Sequence, residues 1–362
     1  MNNNESITCY YCFKEIEDQG IDANNDGLQA TYCCKQCALE KYSENINSKI
    51  GCYNVWKNYD CLGDHVSYYA RKDSESKMYV LKLANSCIPE NKNYLFEKIE
   101  NHISALKSIS HPNILQLCDW GVSNRRYWFV SPFMRKGNLT ERIDNVMHRD
   151  NEQLERDNLF GMIELCKGVV DILDVLSYLH KKGYIHGNIK PQNILFGKDT
   201  NKKTIVTLAD FQFSNSYLLH EHHTRFVWCR PKDIVFFPPE QAINFKDTGL
   251  STDLYALGMC MYNIISKSYP YSFYGTQRAA IKIILGNNKP FPIEGKTDDI
   301  PAPLARIINK AINKDVSKRF HSVEEFKEEI TLCLEYYFYI IDKTSLLKDE
   351  YRELCKRYYP YV

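Results

Sequence analysis

No apolar run in the chain approaches the 18 or so residues of a membrane-spanning helix, so no segment is expected to cross a bilayer. The first residues, Met1-Asn2-Asn3-Asn4-Glu5, lack the basic and apolar regions of a secretion signal. Neither sign of charge dominates: 46 Lys and Arg against 45 Asp and Glu leave a net charge of +1. No global field therefore recruits nucleic acid or an anionic membrane. Internal repeats and long low-complexity linkers are absent as well, which argues against a solenoid or a beads-on-a-string array. What remains is ordinary: 44% hydrophobic and 25% charged residues in 362 leave room for a large core and suggest two or three domains.

Cysteine is plentiful, at 14, and unevenly placed, with a cluster from Cys9 to Cys37 and the rest scattered singly. A disulfide framework comes with a secretion signal and a short chain. The compartment is therefore expected to be reducing, intracellular and cytoplasmic, and the clustered cysteines to be metal ligands. Cys9-x2-Cys12 is followed twenty residues later by Cys33-Cys34-Lys35-Gln36-Cys37. Thiolates in two close pairs suit tetrahedral Zn2+, and so small a segment cannot bury enough apolar surface to fold unaided. Spacing alone leaves Cys33 and Cys34 open as the third ligand. The string Tyr32-Cys33-Cys34-Lys35-Gln36-Cys37 resembles half of a TRASH/FCS-type zinc finger. That resemblance implies Cys9, Cys12, Cys33 and Cys37 as ligands, with Cys34 at the family's usual serine. Residues 1–48 carry a formal charge of −5, a poor surface for phosphate contacts, so the module is expected to dock protein or to be structural.

From residue 49 the pattern alternates. Met78-Tyr79-Val80-Leu81-Lys82-Leu83 and Tyr127-Trp128-Phe129-Val130 read as strands. Residues 92–109 place Leu95, Phe96, Ile99, Ile103, Leu106 and Ile109 at helical spacing, and a long helix is expected from Leu159 to Leu179, stopped by Gly183. Strands first and helices after suggest an α+β chain with a small sheet-rich lobe and a larger helical one. Residues 336–362 form a tyrosine-rich tail.

Several motifs in order then resemble the eukaryotic-type protein kinase superfamily over residues 49–335. His186-Gly187-Asn188-Ile189-Lys190-Pro191-Gln192-Asn193 is similar to the catalytic loop His-Arg-Asp-Leu-Lys-Pro-x-Asn. Ala209-Asp210-Phe211-Gln212 looks like the Asp-Phe-Gly motif, and Pro238-Pro239-Glu240 looks like Ala-Pro-Glu. Asp253 falls at the anchoring aspartate of the next helix, and Arg319 at the arginine that pairs with Glu240. The resemblance implies a bilobal fold and ATP with Mg2+ or Mn2+ as cofactor. It gives Lys82 the α- and β-phosphates, Asn193 and Asp210 the metal ions, and Lys190 the γ-phosphate. Val80 then roofs the adenine, Ser131 is the gatekeeper, and Met134 supplies the hinge N–H.

The pattern also breaks. Asn188 stands at the catalytic base position, where an amide cannot hold the proton a carboxylate accepts. Gly187 replaces the neighbouring arginine. Leu62 to Ala70 keeps a single glycine, Gly63, where the family has a glycine-rich loop. His102 falls where the partner glutamate of Lys82 belongs, and Gln212 replaces the last residue of Asp-Phe-Gly. The expected function is a pseudokinase that binds ATP and regulates a protein partner. Two alternatives stand beside it: a weakly active atypical Ser/Thr kinase, and a zinc-module docking protein that uses the kinase fold as scaffold.

Overall fold

The structure, a computed structural model, describes residues 7–8, 15–16, 21–23, 30–32, 48–62, 65–84, 94–141, 154–198, 204–210, 231–244, 248–273, 276–297 and 300–344. The chain divides into two units, Met1–Lys107 with Gln116–Phe133, and Ser108–Leu115 with Met134–Val362.

The first unit opens with two short antiparallel pairs. One joins β1 (Ile7–Thr8) to β2 (Glu15–Ile16), and the other β3 (Ile21–Ala23) to β4 (Ala30–Tyr32). The expected zinc ligands Cys9, Cys12, Cys33 and Cys37 lie outside the described residues. Six strands follow: β5 (Ser48–Ile50), β6 (Tyr53–Leu62), β7 (His65–Lys72), β8 (Tyr79–Ala84), β9 (Asp119–Ser123) and β10 (Arg126–Pro132). They form one antiparallel sheet in the order β5-β6-β7-β8-β10-β9.

Side chains alternate across a strand, and directly paired residues share a face. Tyr79, Leu81 and Leu83 therefore face one way with their partners Ala70, Tyr68, Val66, Val130 and Trp128. All are buried in one cluster with Tyr53 and Val55, and each large side chain there stabilises the unit by about 1.5–3 kcal/mol. Helix α1 (Tyr94–Lys107) buries Ile99, Ile103 and Leu106 and leaves Glu97 and Glu100 exposed, as its helical spacing requires.

In the second unit α2 (Leu154–Lys181) ends at Gly183, whose N–H donates to the His180 carbonyl at 2.9 Å with φ +79°. This left-handed stop closes the helix end. The strands β11 (Ile194–Lys198) and β12 (Thr204–Leu208) pair with each other. Residues 108–115 lie along β12: Leu115 N–H donates to the Leu208 carbonyl at 2.9 Å, and Leu208 N–H to the Asn113 carbonyl at 2.8 Å. Asn113 Nδ2 adds a bond to the Val206 carbonyl at 2.6 Å.

The helices α3 (Pro231–Ile234), α4 (Pro239–Ile243), α5 (Leu250–Ser266), α6 (Gln277–Leu285), α7 (Ala302–Ala311) and α8 (Val323–Thr344) complete the unit. An unbroken run from Thr252 to Tyr262 is buried in α5, so this helix is enclosed on every side over that run and forms the centre of the unit. Helix α8 packs on α2 and runs through residue 335, so the tyrosine-rich stretch begins inside it, with Tyr337 buried. No helix among the described residues is long and apolar enough to cross a membrane.

Candidate functional site

The sheet of the first unit has a second face, of mixed polarity, opposite its apolar cluster. Val80 pairs directly with Ser131, and Lys82 with Phe129 and Ser67. Two-residue spacing therefore puts Val80, Lys82 and Ser131 on one face. Val80 and Ser131 are buried, whereas Lys82 is partly exposed at the middle of the sheet. The chain leaves β10 through Phe133, whose N–H donates to the Met78 carbonyl at 3.2 Å and whose ring meets Tyr69 edge-on.

At the tip of β6 and β7 the ladder continues to the Leu62–His65 pair, leaving Gly63 and Asp64 as the whole connection. A connection this short spends its neighbouring backbone groups on the ladder, whereas a phosphate-cradling loop needs them turned toward the ligand. His102 lies within α1, but its side chain is outside what is described, and so are Phe211 and Gln212.

The second unit holds the loop from His186 to Asn193. Its base is Asp253, fully buried on α5. The two oxygens of Asp253 accept from the N–H groups of His186 at 2.9 Å and Gly187 at 2.7 Å, and one also meets His180 Nε2 at 2.9 Å. A buried carboxylate that ties down consecutive N–H groups fixes the course of the loop. Gly187 has φ +67°, a left-handed backbone that glycine adopts without strain. Its carbonyl accepts from Gln241 Nε2 at 2.8 Å.

His186 is fully buried, with Nε2 at 3.0 Å from the Ala209 carbonyl, while Nδ1 accepts from the Asn188 N–H at 3.2 Å. This pattern needs the neutral ring protonated on Nε2, and burial holds the imidazole below its ordinary range. The ring thus ties the loop to the segment carrying Asp210.

Asn193 sits in a short 3-10 turn, Pro191–Asn193. Its side-chain amide donates to the Asn188 carbonyl at 2.8 Å, and its own carbonyl accepts from Ala209 N–H at 2.7 Å. Asp210 is buried with φ +66°. A left-handed aspartate costs on the order of 1–3 kcal/mol and persists only where its surroundings hold it. Asn188, Lys190, Asn193 and Asp210 are therefore held in one braced assembly.

Lys190 is buried, and its Nζ lies 3.1 Å from Asp233 Oδ1 on α3, with side-chain exposures of 6% and 9%. Sequence reasoning passes over Asp233. The only signal available was an acidic residue seven positions before Glu240. Met134 opens the second unit. Its carbonyl accepts from Gly137 N–H at 3.3 Å, and its thioether fills the space a Cβ on Gly197 would take. Arg319 and Glu240 meet as expected, through Nη1–Oε1 at 2.7 Å and Nη2–Oε2 at 3.0 Å.

Among the described residues no group of three or more His, Cys, Asp or Glu side chains is arranged to hold a metal ion alone. Asn193 and Asp210 could supply two oxygen ligands to an ion that takes its others from elsewhere. That suits a Mg2+ or Mn2+ ion, which is held by few protein ligands and completed by substrate phosphates.

The family described as "Protein kinase domain" matches residues 64–330. Among curated relatives, the "Probable serine/threonine-protein kinase PknB" of Lactococcus lactis is 24% identical over 244 residues, 67% of this chain, but the chain spans only 35% of that protein's length. The "Calcium/calmodulin-dependent protein kinase type I" of Schizosaccharomyces pombe is 26% identical over 260 residues, covering 70% of each. Among solved structures, the PknI kinase domain of Mycobacterium tuberculosis aligns with a TM-score of 0.57 at 16% identity, over 80% of this chain and 98% of that one.

Proposed function

Because this chain belongs to the protein kinase domain family, we propose that it is a pseudokinase, which binds ATP with Mg2+ or Mn2+ and regulates or presents a protein partner through conformation. The observation that carries this reading is the loop from His186 to Asn193. Its scaffold on Asp253 is complete, yet its centre is the amide of Asn188.

In this reading Lys82 would neutralise the α- and β-phosphates and Lys190 the γ-phosphate, and Asn193 and Asp210 would hold the metal ion. Val80 packs on the adenine and the Met134 N–H donates to it. The metal supplies charge neutralisation at the phosphates. The protein supplies position, through side chains whose backbone is fixed by the bonds around His186 and Asn193.

The test is a melting-temperature series with ATP, with and without Mg2+ or Mn2+. A metal-dependent rise is expected, because a ligand that binds only the folded chain stabilises it by about 2.7 kcal/mol at 100 times its dissociation constant. Asp210→Ala should remove the rise. The absence of a shift with any nucleotide would leave the kinase fold as a scaffold. The names of the relatives favour a second reading, a weak Ser/Thr kinase, and a phosphate-transfer assay separates the two.

Residues 1–48 are proposed to bind one Zn2+ per chain through Cys9, Cys12, Cys33 and Cys37, giving the protein a small docking module. The paired cysteine spacing supports this. Metal analysis of protein purified without added zinc should find about one equivalent. Cys12→Ser should unfold the head and leave the ATP-dependent shift intact. A metal-free protein whose head stays folded in chelator would rule the site out. No described helix spans a membrane, and the proposed compartment is intracellular.

A further inference from the structure

Transfer of a phosphoryl group to a hydroxyl releases a proton, and the amide of Asn188 cannot take it. The carboxylate of Asp233 does lie at the catalytic loop, 3.1 Å from Lys190 Nζ. We propose that Asp233 is the proton acceptor for the residual phosphoryl transfer of this chain, standing in for the carboxylate absent at residue 188. This rests on the reading of Lys190 as the γ-phosphate ligand.

The placement of Asp233 follows from packing. Helix α3 is a single turn, and the residue after Asp233, Ile234, is fully buried with Phe237, Ala242, Ala280 and Ile284. The turn is closed by Phe236 N–H to the Asp233 carbonyl at 3.3 Å and Phe237 N–H to the Ile234 carbonyl at 2.9 Å. The carboxylate is thus carried on an anchored backbone, with 9% side-chain exposure. It is separated from Lys190 by more than forty residues of chain, so no local constraint brings the two together.

An ammonium donates three hydrogen bonds in tetrahedral directions. Two acceptors bound to one such nitrogen lie roughly 5 Å apart at ordinary hydrogen-bond lengths. With a γ-phosphate oxygen on one donor of Lys190 and Asp233 on another, that gap admits one hydroxyl oxygen. The oxygen can then approach phosphorus at about 3–3.5 Å while its O–H points at the carboxylate. An ionised carboxylate has about four lone-pair sites, more than the pair with Lys190 uses.

In the step itself the seryl or threonyl O–H bond breaks and its proton passes to an Asp233 oxygen. The freed oxygen forms a bond to the γ-phosphorus. The bond from that phosphorus to the β,γ-bridging oxygen breaks, and ADP leaves with the electron pair. The proton then returns to solvent.

The experiment uses the full chain with radiolabelled ATP, Mn2+ and dephosphorylated casein as acceptor. Each sample's ATP-induced melting shift is read in parallel. Asp233→Asn should keep the shift and lower transfer at least about tenfold, below the usual range for loss of a positioned base because the starting rate is already impaired. Adding Asn188→Asp to Asp233→Asn should bring transfer back to at least the unmodified rate, since a base then stands in the ordinary place. A merely structural role for Asp233 predicts no such rescue.

If Asp233→Asn does not fold, Asp233→Thr keeps an oxygen for Lys190 without a carboxylate and should show the same loss and the same rescue. Transfer by Asp233→Asn at the unmodified rate would overturn the proposal. So would failure of Asn188→Asp to rescue, or unmodified transfer no greater than that of Asp210→Ala. A missing ATP shift in the unmodified chain would fell the nucleotide-binding reading, and this assignment with it. An intact shift with an unaffected Asp233→Asn would fell the assignment alone.

Discussion

With saturating ATP and metal, the unmodified protein is expected to transfer phosphate at least about 100-fold more slowly than an ordinary kinase, the low end of the loss of a positioned base. Ordinary turnover is about 1–100 per second, so the expected rate is about one per second at most. The low end is the appropriate bound because Asp233 supplies an acceptor in a second-best position. Asn188→Asp should recover only part of the deficit. The connection between β6 and β7 remains only two residues long, and the family resemblance puts His102 where a glutamate would orient Lys82. These defects act on one assembly, so their effects need not add. Single-turnover transfer measured beside Asp210→Ala decides the matter. Robust turnover by the unmodified chain, abolished by Asp210→Ala, would replace the pseudokinase reading with that of an active Ser/Thr kinase.

Replacing Arg319 is expected to be the most destabilising single change in the second unit. Its side chain is fully buried, and its guanidinium makes two parallel bonds to Glu240. The remaining donors reach carbonyls: Nε to Asn313 at 2.5 Å, Nη2 to Lys314 at 3.1 Å and Nη1 to Ser251 at 3.5 Å. The group also lies 4.6 Å from the centroid of the Tyr255 ring.

Arg319→Met would remove every one of these donors and strand a carboxylate that is itself mostly buried. Breaking such a pair from one side costs about 3–5 kcal/mol. For a unit of this size that is a fall of roughly 10 °C in melting temperature. Arg319→Lys keeps the charge but not the planar fork, and should lose a large part of the same stability. Arg319→Met combined with Glu240→Gln should be less damaging than Arg319→Met alone, because the stranded charge is gone. A fall of less than about 2 °C for Arg319→Met would show that the pair contributes little.

Elements shaped by a repeating burial pattern were readable from residue order. The strand expected at Met78 to Leu83 is Tyr79–Ala84, and the helix expected over residues 92–109 is Tyr94–Lys107. The long helix is Leu154–Lys181, ending at Gly183 as expected. Each spans enough residues for period 2 or 3.6 to stand out. The Glu240–Arg319 pair was also readable, although only through resemblance, since nothing local connects positions so far apart.

What residue order did not reveal is tertiary in origin. Asp233 and Gln241 have no periodicity to betray them. Each matters because α3 and α4 carry it to the loop around Gly187 and Lys190. The boundary placed at residue 336 followed a change of composition toward tyrosine, which is a change of surface, and the helix continues through it to Thr344.

The segment from Ser108 to Leu115 belongs to the second unit, although the chain on both sides of it belongs to the first. The polypeptide therefore passes from one unit to the other three times, and neither can be excised as a continuous fragment. A truncation starting at Met134 would keep every residue of the catalytic loop and still strip β12 of its neighbour. The Leu208 N–H and carbonyl, now satisfied by Asn113 and Leu115, would be left open beside Asp210. An uncovered strand margin of this kind recruits other chains, so such a fragment should be aggregation-prone. A fragment that joins residues 108–115 to Met134 through a flexible linker, in place of residues 116–133, should stay soluble.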